Sequence, residues 1–579
     1  KINCVVAYVS AYSEILYNRL LHYFIMIKCA LLTLAIHCVY YAAGDIIVQV
    51  SEGLMKGATA KSTSGRTFFK FTGIPYAEPP VGQLRFRSPV PKKSWNGAFE
   101  AVGKGNICVQ HDANNNIVGN EDCLILNVYT PKVTLYKTLL PVIVYIHGGG
   151  YIMGASNTDY LNPGYLLDRN IVLVTMNYRL GIFGFFSTGD LAAPGNFGLK
   201  DQVLALKWVQ RNIRVFGGNP NKVTIMGQSA GASCVSLHAL SDMSAGLFHQ
   251  YIIMSGIALA PWAFRSGSSN YAIAKSVAAE FNCTSNSSFV LVDCLRNLTF
   301  AQMQNNDVRK DELLHLLSVP WMPTCEPQSE DAFLTDSPEN LLREGKIKDF
   351  PFVTGNVKDE GLLATTGVIN DYCCSIKMQL LLVVRYDSIE QTYFTYCIII
   401  LKFNDCFSIV TKLITSNYRF TELTTDFFFF YPQVKFIQQV VHKNKNPFYF
   451  YEFEYRGTLS HTMSTTKNNK TIGVAHADDL IYFFPVNGSY FGLSDSVQLD
   501  KTDYKVVDLM VDLWVSFAYS GVPASIRLHG NPFLWKPYRR NANILQIGNY
   551  TDPGAFLKHS FYEKRMRFWY ENVPDIQEP

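Results

Sequence analysis

The chain has 579 residues, 48% of them apolar and 17% charged, which is ample material for a large buried core. A formal charge of +4 is small for this length, and Lys and Arg form no dense block, so a nucleic-acid partner is excluded.

The sequence opens on Lys1, and residues 1–25 read as upstream sequence translated in frame. From Met26 a secretory signal is expected: basic Lys28, an apolar run from Cys29, and the small residues Ala42-Ala43-Gly44 as a cleavage site. The run is shorter than the ~20 residues of a membrane span. The reading is therefore a leader over 1–44 (signal peptide 26–44) and one domain over 45–579, exported, with no stable membrane anchor. The C-terminal tail shows no retention tetrapeptide and no apolar anchor pattern. Export predicts glycans at the sequons of Asn282, Asn286, Asn297, Asn469, Asn487 and Asn549, and disulfides among 13 cysteines.

After the leader, Ile46–Val50 reads as an edge strand and the Pro- and Gly-rich Phe71–Phe86 as an ordered surface loop. Cys108 and Cys123 bracket an Asn-rich loop. Asn127–Thr130, Pro141–His147 and Ile171–Met176 are strand-like, the last two apolar enough to be covered on both faces. Gly198–Val215 turns to helical period through Val203, Leu206, Val209 and Ile213. This alternation points to an α/β protein with a mostly parallel sheet and helices on both sides. Asp371–Thr415 breaks the pattern, with four cysteines and no period; it reads either as a helix pair of a cap or as an insertion from the gene model, and no function is placed there.

The chemistry centres on Val223–Ala232, an apolar run ending in Gly227-Gln228-Ser229-Ala230-Gly231 and followed by a small-residue helix. Gly-x-Ser-x-Gly between strand and helix is a nucleophile elbow, a turn so tight that glycines are needed beside the exposed serine. A serine needs a base, and the base needs an acid to hold its tautomer. Downstream, Phe352–Gly361 is an apolar strand ending in acids before glycine, and Gly473–Asp479 sets His476 in a small-residue loop. Upstream, His147-Gly-Gly-Gly150 follows a buried strand, where three glycines suit a backbone lying close to a ligand and donating to an oxyanion.

These segments, with Glu121–Leu124, Asn177–Gly181 and Gly195–Gln202, resemble the type-B carboxylesterase family, which includes cholinesterases and insect juvenile hormone esterases. The match runs from Ile46 to Trp569, apart from 371–415. The resemblance implies an α/β-hydrolase fold, a central mostly parallel sheet flanked by helices. It implies Ser229 as nucleophile, Glu360 rather than Asp359 as acid, and His476 as base, with Gly149, Gly150 and Ala230 as oxyanion donors. It also implies disulfides Cys108–Cys123 and Cys283–Cys294, buried pairs Arg85–Glu121 and Arg179–Asp201, no metal or cofactor, and a small-molecule ester as partner.

Cholinesterases hold a quaternary ammonium on a tryptophan in the loop before Glu-Asp-Cys, a cation–π contact. Here that loop, Cys108–Cys123, has no aromatic residue, and Gln228 replaces the acid usual before the nucleophile. Both changes favour a neutral, apolar ester, juvenile hormone among them. The alternative is a non-catalytic relative serving adhesion or binding; such relatives usually lack a triad member, and none is missing here.

Overall fold

β-Branched and aromatic runs build a thirteen-stranded sheet. The chain enters through β1 (Ile46–Val50), β2 (Gly53–Lys61) and β3 (Thr67–Pro75). Short strands β4 (Ala98–Glu100), β5 (Gln110–His111) and β6 (Ile117–Val118) precede β7 (Ile125–Thr130), β8 (Leu140–Ile146) and β9 (Val172–Met176). Then come β10 (Gly218–Gln228), β11 (Gln250–Met254), β12 (Phe352–Val357), β13 (Phe448–Tyr455), β14 (Ile544–Tyr550) and β15 (Asp552–Lys558). The order is β1-β2-β3-β7-β9-β8-β10-β11-β12-β13-β14-β15, with β4 beside β2, while β5 and β6 form a separate hairpin. Pairing is parallel from β9 through β14 and antiparallel along both flanks, except that the short β4 lies parallel to β2. This computed structural model describes residues 46–112, 114–133, 138–305, 321–365, 417–466, 471–486, 488–494, 496–528, 530–539, 542–550 and 552–572. The leader, segment 371–415, Asn469 and Asn487 lie outside the described residues.

Every residue of β8 and β9 is buried, as expected for strands covered on both faces. The two-residue period sorts them: Val142, Val144 and Ile146 pack with α1 (Phe197–Asn212) and α2 (Ala230–Leu240), while Ile143 and Tyr145 join the core of the other face. On the first face lie α3 (Ser288–Arg296) and α4 (Tyr431–Val440); the second is covered by α5 (Lys501–Ser520), through Leu509, Leu513 and Trp514. A last helix, α6 (Glu563–Asn572), docks Met566 and Trp569 on the first face. Among the described residues no helix is long and apolar enough to cross a membrane.

One expectation is corrected. Phe71–Phe86 is a surface loop only in part: Phe71–Pro75 completes β3, the loop begins after Pro75 and exposes Val81, and Phe71, Ile74, Tyr76 and Phe86 are wholly buried. A register shift between Phe71 and Ile74 absorbs Gly73, whose φ of +72° an L side chain rarely adopts, so the strand accepts a glycine and ends on proline.

Both expected disulfides form, Cys108–Cys123 and Cys283–Cys294, and each closes a loop worth ~3 kcal/mol in the chain-entropy model. Asn282, Asn286, Asn297 and Asn549 are exposed. Arg85 makes two bonds to Glu121, at 2.7 and 2.6 Å, and its remaining nitrogen caps carbonyls at the C-terminal end of α3 and just beyond it. Arg179 grips Asp201 at 2.8 and 2.7 Å, with both partners buried. Removing one member strands the other charge, so Asp201→Asn should lower unfolding free energy by ~3–5 kcal/mol in urea titration. Lys104→Ala, which breaks the exposed pair with Asp159, should cost under ~1 kcal/mol.

Candidate active site

β10 delivers Ser229 to the C-terminal end of the parallel strands, beside the ends of β8 and β11. Ser229 adopts φ +58° and ψ −127°, a conformation costly for a non-glycine residue, and its N–H is anchored to Met254 O at 2.9 Å. The turn is affordable only because α2 leaves at once: a side chain at Gly231 would run into Ile146 O and His147 O, so strand and helix touch backbone to backbone.

The glycine loop lies directly over this turn. A Cβ at Gly148 would come within 2.5 Å of Gln228 O and 3.0 Å of Ser229 Cβ. Gly149 and Gly150 follow at φ +101° and +59°. Among the described residues, the amides of Gly149, Gly150 and Ala230 serve no turn or cap, and they remain available as donors beside the serine. His147, which opens the loop, is stacked on Tyr178 at 4.4 Å, and burial pushes its imidazole down to about 4, so it stands as a neutral support. Sequence reading missed Gln110. Its amide pairs with Gly154 in both directions, Nε2 to Gly154 O at 3.0 Å and Gly154 N to Oε1 at 2.9 Å. The Cys108–Cys123 hairpin is thereby strapped to the far end of the glycine loop.

Glu360 and Asp359 divide the labour at the end of β12. Glu360 is fully buried; its Oε1 accepts from Val357 N at 3.0 Å and Asn356 Nδ2 at 3.3 Å, and its Oε2 lies 2.6 Å from His476 Nδ1. Asp359 instead accepts from Val474 N at 2.9 Å, and its own N–H donates to Val474 O at 3.0 Å. One acid thus orients the histidine and its neighbour holds the loop that carries it. Asp478 completes the support, accepting from Ala475 N, His461 N and Ser460 Oγ, each at 2.8 Å. Behind the pair sits Asp479, wholly buried, with Tyr451 OH donating at 3.0 Å; burial first, and the Glu360 carboxylate second, push it up to about 7.

The outer face of His476 meets Phe429 at 4.9 Å between ring centroids, and Trp262 lies 5.7 Å beyond. Phe429 comes from a π-helical turn, Asp426–Phe430, that precedes α4. Trp262 Nε1 donates to Phe428 O at 3.1 Å, and Asp426 is held from α6 by Arg565 and, at 3.2 Å, by Trp569 Nε1. The run Phe427–Phe430 was the available sequence signal for this wall. Gln228 does not face open space as a missing charge would; it is buried, and its Nε2 lies 3.1 Å from His476 Nε2. Among the described residues no hydrogen bond joins Ser229 Oγ to His476. Apo sites often close this gap only with substrate present.

The arrangement suits nucleophilic acyl transfer: a serine on a strained elbow, spare amides beside it, and a buried carboxylate–imidazole pair within the same loop cluster. The Carboxylesterase family model matches residues 44–569. Juvenile hormone esterase of Tribolium castaneum is 36% identical over 93% of this chain and 96% of its own. Esterase FE4 of Myzus persicae is 36% identical over 88% and 90%. A crystal structure of juvenile hormone esterase from Manduca sexta with OTFP covalently attached superposes with a TM-score of 0.75 at 27% identity, covering 91% of this chain and 99% of that one. The chain belongs to the carboxylesterase family and is a carboxylic ester hydrolase with the α/β-hydrolase fold.

Proposed function

We propose that this esterase is a secreted serine hydrolase that cleaves neutral, apolar esters through an acyl-enzyme. The observation that carries the reading is the 2.6 Å bond between His476 Nδ1 and Glu360 Oε2, in a loop cluster shared with the Ser229 elbow. Glu360 keeps the proton on Nδ1, which leaves Nε2 as the acceptor for the Ser229 hydroxyl proton. Ser229 Oγ attacks the ester carbonyl, and the oxyanion is bound by the amides of Gly149, Gly150 and Ala230. His476 returns the proton to the leaving alcohol, then activates the water that releases the acid. Each oxyanion donor contributes ~3 kcal/mol, or two to three decades in rate.

The aromatic wall of Phe429 and Trp262 and the uncharged residue at 228 support an apolar ester group. Two similar proteins carry juvenile hormone in their names, which makes that hormone the first ester to assay. Export, over a mature unit of 45–579, is supported by the two disulfides and by exposed sequons at Asn282, Asn286, Asn297 and Asn549.

A fluorophosphonate should label wild-type protein at Ser229, and p-nitrophenyl acetate should give a burst that Ser229→Ala abolishes. A label elsewhere, or a folded protein with no burst, would favour the non-catalytic binding protein. Glu360→Gln should lower kcat by about three to four decades with little change in KM, while Asp359→Asn costs no more than about tenfold. Comparing kcat/KM for juvenile hormone with that for short p-nitrophenyl esters tests the substrate; a ratio far below one would exclude the hormone.

A further inference from the structure

The chemistry needs His476 Nε2 open to the proton of Ser229, yet in this structure that nitrogen is already engaged. Gln228 Nε2 lies 3.1 Å from it. With Nδ1 bonded to a carboxylate at 2.6 Å, the neutral ring keeps its proton there and its lone pair at Nε2, so the contact is N–H donation from the glutamine to the histidine. Gln228 has little freedom to do otherwise. It is the last residue of β10, paired in register with Met254, and 4% exposed. Its other amide atom, Oε1, stands 3.1 Å from where a Cβ on Gly148 would sit. The side chain is wedged between the glycine loop and the base.

We infer that Gln228 is a positioning residue that covers the proton-accepting nitrogen of His476 in the resting enzyme and favours the neutral ring until an ester displaces it. The inference rests on the roles proposed above for Ser229, His476 and Glu360. An amide N–H can bond a neutral imidazole nitrogen but not a protonated one, because two donors would then face each other. Acceptance from imidazolium would require the amide to turn over and bring Oε1 away from the Gly148 side. Among the described residues, the other groups facing the ring are few. Glu360 bonds Nδ1, Asp479 lies behind Glu360, Phe429 covers the outer face, and His461, which burial pushes down to about 4, brings no charge. Among the described residues, Gln228 is therefore the one side chain on the Nε2 side that discriminates between the two states of the base. A carboxylate in its place would reverse the preference, since it accepts from Nε2–H and holds the imidazolium.

The test is the pH profile of kcat/KM for p-nitrophenyl acetate, read beside the rate of fluorophosphonate labelling, in wild type, Q228E and Q228M. In Q228E the acid limb should move up by roughly one pH unit or more. In Q228M, which loses the donor without adding a charge, it should move up by about half a unit. Labelling of Ser229 above the limb should persist in both. An acid limb that stays at its wild-type position in either folded variant overturns the inference; if Q228E does not fold, Q228M alone decides it. Failure of the underlying reading looks different, because wild-type protein would then take no label at Ser229.

Discussion

A serine held at φ +58° sets the position of everything else in the site. That backbone conformation is unfavourable by itself, and it persists because three neighbours over-determine it: the bond to Met254 O, the backbone contact of Gly231 with the end of β8, and Gly148 lying over Ser229 Cβ. Each is available only where the partner lacks a side chain or belongs to an adjacent parallel strand. Strand order then does the remaining work. β8 carries the glycine loop, β10 the serine and β12 the acid, and all three end on the same side because they run parallel within one stretch of the sheet.

The electrostatics of the site rest on distributing buried carboxylates among separate duties. Glu360, Asp359, Asp478 and Asp479 crowd around one histidine, and a cluster of free anions there would be prohibitive. Three of them have backbone or imidazole donors. The fourth, Asp479, has only a phenol among its side-chain partners, and burial pushes both it and Asp478 up to about 7, toward the neutral acid. The imidazole thus feels one close, oriented anion. Gln228 adds an uncharged partner on the opposite nitrogen, so the ring is addressed from both sides.

Features carried by local pattern were legible in the sequence. The elbow, the histidine-led glycines and the helix of Val203, Leu206 and Val209 depend on residues within a turn or two of one another, and all fall where periodicity and glycine spacing put them. Glu360 was separable from Asp359 only by family resemblance; the reason, one acid for the ring and one for the loop, lies in contacts more than a hundred residues apart. Gln228 stood out as an absent charge, and its contact with a residue 248 positions away gives it a different meaning. The first part of Phe71–Phe86 misled because proline and glycine mark turns in isolation, whereas here a bulge lets Gly73 and Pro75 finish a buried strand. Gln110 left no signal, since a glutamine in an Asn-rich hairpin looks like any solvated amide.

The π-helical turn that sets Phe429 against His476 is held through Asp426 by Arg565 and Trp569 of α6. The wall of the reaction chamber is therefore braced by residues synthesised after every other part of it. A nascent chain that has already formed its elbow, its glycine loop and its carboxylate–imidazole pair still lacks the brace. The placement of Phe429 beside His476 thus depends on the region around residue 569, far along the chain from the elbow and the glycine loop.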